Sequence, residues 1–243
     1  MKFDFLNRLQ IHQRTSVYLL CVLCAINFGI VLLALFNATL QPEIPMLSLD
    51  LDGSLAEYFQ YFEELSIALI LLGLAIRRRD GGLLLWGLLF LYLFIDDGFS
   101  IHENMGLLIE GAFQSVASIN LSVHIYEMLF SMMVAAVFLL SIVFNCFRQK
   151  SVYDRAITYD LVFLLGLIGF FGVFVDVLHV ILGSVWWMYL LFTVVEEAGE
   201  LFTFSLILVY VYQLARSNEG EGVLVIQPIA HRLYMRYIDP RRG

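Results

Sequence analysis

Apolar residues fall in long runs along this chain, not in the short alternating or 3.6-residue patterns of a soluble domain. Six stretches, 16–40, 57–76, 82–101, 122–147, 158–182 and 187–214, are almost continuously hydrophobic. Each has the length a helix needs to cross about 30 Å of hydrocarbon. Only structures that satisfy their own backbone hydrogen bonds span a bilayer, and runs of this length do so as helices. The pattern predicts an all-α integral membrane protein, one bundle of six transmembrane helices covering 16–214. Residues 1–15 then form a cytoplasmic amphipathic lead, and 215–243 a cytoplasmic basic tail.

Composition supports the same class. Of 243 residues, 60% are hydrophobic and 15% charged, whereas a soluble domain is nearer a quarter charged. The lead, MKFDFLNRLQIHQRT, has no small-residue cleavage site at its end, which predicts a signal anchor and not a removed signal peptide. Phe3, Phe5, Leu6 and Leu9 suit a segment lying along the membrane surface. Cys21 and Cys24 form a CxxC inside the first run, where helix packing is the expected role, and no disulfide framework is indicated.

Charge gives an orientation. The lead holds Lys2, Arg8 and Arg14, and Arg77, Arg78 and Arg79 follow the second run. Arg148, Lys150 and Arg155 follow the fourth, and Arg216, Arg232, Arg236, Arg241 and Arg242 lie in the tail. These are all 14 basic residues, and in a six-span topology every one falls on one side. The positive-inside rule makes that side, and both termini, cytoplasmic. The expected location is the plasma membrane, the inner membrane in a bacterium. Trp186, Trp187 and Tyr189 fit the outer aromatic belt.

With that orientation, acids and histidines concentrate in the outer half of five spans. They are Glu57, Glu63 and Glu64 in span 2, Asp96, Asp97, His102 and Glu103, with Ser100 among them, at the end of span 3, and His124 and Glu127 in span 4. Asp176 and His179 close span 5, and Glu196, Glu197 and Glu200 lie about ten residues into span 6. An ionisable group near the bilayer centre costs roughly 2.5–3.5 kcal/mol and ordinarily has a partner. No Lys or Arg stands on that side. The carboxylates must therefore be protonated, hydrated in an outward cavity, or bound to a cation.

Spacing favours a shared site. His124 and Glu127, Asp176 and His179, and Glu197 and Glu200 are three apart, and Glu196 and Glu200 four apart, so each pair shares a helix face. His102 fits less well, pointing about 140° from Asp97 on an unbroken helix unless Gly98 allows a break. FIDDGFSIHE in span 3 echoes FVDVLHVI in span 5, and HIYEMLFS in span 4 echoes EAGELFTFS in span 6. Hairpins 3–4 and 5–6 are thus expected as a parallel repeat.

Carboxylate with imidazole suits zinc, iron or manganese, one or two ions, better than calcium or magnesium. The expected ligands are Asp97, Glu103, His124, Glu127, Asp176, His179, Glu197 and Glu200, with Asp96, His102 and Glu64 as secondary candidates. Glu200 and Glu197, the deepest, are the expected catalytic carboxylates. The ligand logic resembles that of di-iron and di-manganese bundles, although their duplicated Glu-x-x-His is not present here. Ceramidase-like hydrolases carry an H-x-x-x-H pair and membrane desaturases around eight histidines; this chain has no such pair on its outer side, and five histidines in all.

The expected activity is metal-dependent hydrolysis or oxidation of a lipid-like, quinone or outer-face substrate. The alternatives are a proton- or divalent-cation-coupled transporter and a non-catalytic membrane subunit or sensor. Gly166, Gly169 and Gly172 suggest a small-residue face for close helix approach. VLVIQPIAHRLYMRYI in the tail suits the inner leaflet or a protein partner. No phosphate-cradling loop or nucleic-acid module is apparent.

Overall fold

The structure, a computed structural model, describes residues 14–40, 44–49, 51, 53–117, 123–149, 152–182 and 186–216. Among the described residues it is helical throughout, with no strand. The helices are α1 (Arg14–Asn37), α2 (Leu55–Arg78), α3 (Gly81–Gly98), α4 (Ile101–Ala117), α5 (Val123–Arg148), α6 (Val152–Gly169), α7 (Asp176–Leu182) and α8 (Trp186–Arg216). A short 3₁₀ turn, Pro45–Leu47, follows α1, and a π-helical segment, Phe170–Val175, joins α6 to α7. The lead up to residue 13 and the tail beyond 216 lie outside the described residues.

Among the described residues, five segments are long and apolar enough to cross a membrane: Thr15–Asn37, Leu55–Arg78, Gly81–Gly98, Ile125–Arg148 and Tyr153–His179. Their outward faces are apolar, with Phe28, Leu32 and Phe36 of α1 and Val137, Leu140 and Phe144 of α5 exposed, as lipid-facing side chains are. The last helix, α8, is the longest at 31 residues, but Glu196, Glu197 and Glu200 lower its apolar character. Beyond the third run, Ile101–Ala117 is also helical. Its sequence mixes apolar and polar positions, which reads as a loop by hydropathy but packs as an amphipathic helix.

The chain divides into two compact units, Met1–Glu63 with Ser151–Gly243, and Glu64–Lys150. In the first, Ile30 and Ala34 of α1, Leu49, Ala56 of α2 and Leu201 of α8 form a buried cluster, edged by Leu55, Phe59 and Val194. The α6–π–α7 segment and α8 run antiparallel there: His179 meets Glu196, Phe171 meets Gly199, Gly172 meets Glu200 and Asp160 meets Tyr210. Cys21 is exposed and Cys24 half-buried on α1, with no disulfide among the described residues.

In the second unit, α3 begins where Asp80 accepts from the backbone N–H groups of Gly82 (2.7 Å) and Leu83 (3.4 Å), a side-chain cap for orphan amides. Trp86 and Phe90 of α3 are buried and stacked. Helix α3 lies antiparallel to α5, with Gly82 facing Asn145 and Tyr92 packing on Phe138, while on α4 Gly106 faces Glu127 and Phe113 packs on Tyr126. A break at Phe99–Ser100 separates α3 from α4.

Candidate metal centre

That break brings two aspartates and a histidine together. The amide of Phe99 still bonds to the carbonyl of Ile95 (3.1 Å), so α3 closes normally. Ser100 then takes φ of 46°, in the left-handed region, and its carbonyl starts α4 by accepting from the Asn104 amide (3.1 Å). The chain turns enough that His102 returns to the acids before the break. Asp96, 4% exposed, accepts the backbone N–H of His102 through Oδ1 at 2.9 Å. Its Oδ2 lies 3.4 Å from His102 Nδ1. One carboxylate therefore caps α4 and orients the imidazole.

Asp97 completes the group. One ligand atom from each of Asp96, Asp97 and His102 lies within 4.8 Å of the others. Two carboxylates and an imidazole form a hard-to-borderline donor set suited to zinc, iron or manganese. The Asp96 carboxylate beside it pushes the His102 pKa above its usual value of 6.5; burial opposes this, and the charges of Asp97 and Glu103 add to it.

Among the described side chains, the other expected ligands of this unit are not members of the cluster. Glu103 is partly exposed and is not a member. Glu127 of α5 packs against Gly106, one turn past His102, where a Cβ would come within 3.0 Å of the Glu127 backbone nitrogen. Only glycine permits that approach. Glu64 is buried on α2. His124 lies on α5, but its side chain is outside the described residues, as is that of Asp176 on α7.

The first unit holds a second acid–histidine arrangement. His179 Nδ1 lies 3.2 Å from Glu196 Oε2, and its ring stands edge-on to Tyr189 with centroids 4.5 Å apart. His179 Nε2 is buried without a hydrogen-bond partner. Glu200 brings its carboxylate against Gly172, inside the π-helical segment, and Gly199 faces the ring of Phe171. Such local widenings recur at functional sites; here one places a bare backbone opposite a carboxylate. Glu197 is partly buried on α8. Gly166 and Gly169 have open space beside them, so of the expected small-residue face only Gly172 marks a close approach.

Sequence spacing alone does not pair these side chains. Asp96 and His102 meet because the helix breaks, and a helical wheel assumes that it does not. Glu196 was readable as a face-mate of Glu200 four residues on, yet its partner His179 follows only from the pairing of α7 with α8. Residues 17–214 match the family described as Domain of unknown function (DUF8692). No curated protein and no solved structure matches the chain.

Proposed function

The chain belongs to that family over most of its length, and from its side chains we propose a membrane protein that binds one divalent transition metal at Asp96, Asp97 and His102. The metal is zinc, iron or manganese, and the chemistry is hydrolysis, with oxidation as the variant, on a lipid-like substrate at the outer membrane face. The observation that carries this reading is the 4.8 Å convergence of two carboxylates and an imidazole. Three protein ligands leave a coordination position for water, and a bound zinc lowers the pKa of that water towards about 7. Glu197 and Glu200, in the other unit, are not needed for this set.

The topology we assign is six spans with both termini cytoplasmic, in the plasma membrane, with α8 as the sixth span. At a rise of about 1.5 Å per residue it is long enough to cross with turns to spare. The one-sided distribution of all 14 basic residues supports the orientation. Hairpins 3–4 and 5–6 each carry an Asp and a His on the first helix and a carboxylate on the second, which supports the repeat. The basic tail beyond 215 serves the inner leaflet or a protein partner.

Metal analysis of the purified full chain at neutral pH tests the site. About one zinc, iron or manganese ion per chain is expected, falling to background in Asp97→Ala and His102→Ala. Wild-type protein with no metal above background, or both variants retaining it, overturns the assignment.

A further inference from the structure

Within the first unit, three polar side chains from three helices meet in a place the metal site does not use. Asn27 of α1, Glu63 of α2 and Ser205 of α8 are each 0% exposed. Asn27 Nδ2 donates to Ser205 Oγ at 2.9 Å, and Ser205 Oγ donates to Glu63 Oε1 at 2.5 Å. The chain of donors ends there. A hydroxyl has one hydrogen, and Ser205 has given it to Oε1 while accepting from Asn27. Glu63 Oε2 and Asn27 Oδ1 remain, both buried and both without a hydrogen-bond partner.

Both are acceptors with no donor, and the carboxylate lacks a countercharge. Among the described residues Glu63 makes no ion pair with Lys, Arg or His. The titratable group that faces it from α1 is Cys24, a thiol that offers no positive charge. On α8 the nearest acid along the helix is Glu200, five residues before Ser205, and on α2 Glu64 follows directly. All of these are acids. A bare carboxylate in such a place is strongly disfavoured, and a buried group of this kind neutralises or takes up a cation. A metal ion would want a fuller oxygen shell than these three residues offer.

We propose that Asn27, Glu63 and Ser205 form an intramembrane proton-binding site, in which Glu63 Oε2 carries the proton. The added hydrogen gives Oε2, otherwise a buried acceptor without a partner, a bond to donate, and it removes the uncompensated charge. Loss of the proton leaves a carboxylate in the core between α1, α2 and α8, so the packing of this unit is linked to protonation. This site shares no residue with the metal centre.

Infrared difference spectroscopy of the full chain in lipid nanodiscs at neutral pH, wild type minus Glu63→Gln, reads the proton directly. A protonated-carboxyl C=O band is expected in the wild type and absent in the variant, shifting in heavy water. Ser205→Ala should move that band to higher frequency, because Oε1 loses its donor. Sodium chloride at constant ionic strength should leave it in place. Absence of the band overturns the proposal, and so does its erasure by sodium, which would make the ligand an alkali cation. Glu63→Gln should melt like the wild type, since the amide matches a neutral acid in shape; collapse of that variant counts against a neutral Glu63.

Discussion

Asp96 holds His102 twice, by its backbone N–H at 2.9 Å and by its ring at 3.4 Å, across a break in the helix that separates them. The same carboxylate is thus a helix cap and a positioning group. Removing it has two separable consequences. Asp96→Ala strips the cap and should cost about 1 kcal/mol in thermal unfolding, whereas Asp96→Asn keeps an acceptor for the amide and should cost a few tenths.

The ring half of that contact titrates. The Asp96 carboxylate raises the His102 pKa above 6.5 in the folded protein. A group with a raised folded pKa contributes stability that is fully present below its unfolded value and lost as pH rises through the folded one. The contribution of His102 should therefore be complete below pH about 6.5 and fade on the alkaline side. In metal-stripped protein, an NMR titration of the imidazole should have its midpoint above that value, falling in Asp96→Asn. An unchanged midpoint in the variant would remove Asp96 as the cause.

The break itself is costly for a side chain. Ser100 sits at φ of 46°, a conformation glycine adopts without penalty. Ser100→Gly should raise stability by about 0.5–1 kcal/mol, and Ser100→Ala should not. If glycine destabilises instead, the left-handed turn is not what joins α3 to α4.

Three glycines of the first unit should respond differently to alanine. Gly166 has open space, so Gly166→Ala should be neutral or gain up to about 1 kcal/mol of helix propensity. At Gly172 the new methyl would displace the flexible Glu200 carboxylate, a smaller cost that Glu200→Ala should relieve in the double variant. At Gly199 it would strike the Phe171 ring, which cannot swing away cheaply, and about 1–3 kcal/mol should be lost. Thermal melts of the three single variants and the double variant give the order; additivity of Gly172→Ala with Glu200→Ala would refute the contact.

Tyr210 donates to Asp160 Oδ2 at 3.0 Å, with both residues buried. Tyr210→Phe deletes the donor and keeps the ring, so about 1–3 kcal/mol should go. Asp160→Asn in that background should restore part of it, since a neutral amide is less costly to leave short of a donor than a carboxylate. Equal stability of Tyr210→Phe and wild type would show the bond contributes nothing net.

The apolar runs by themselves determined that this is an all-helical chain with membrane-length segments, because transfer of a helix into hydrocarbon depends on length and composition alone. They also located the acidic region, since carboxylates are conspicuous in an apolar run. Which of those carboxylates meet was decided only by tertiary structure. His102 lies off the shared face of a continuous helix, and the left-handed Ser100 that brings it back leaves no mark in a hydrophobic pattern. Glu196 found His179 through the antiparallel pairing of two helices. Glu63 found Ser205 across 142 residues of sequence. A side chain's periodicity names its helix face, but the partner of that face is chosen by how helices cross, and the cost of a buried, unpaired oxygen is set where they do.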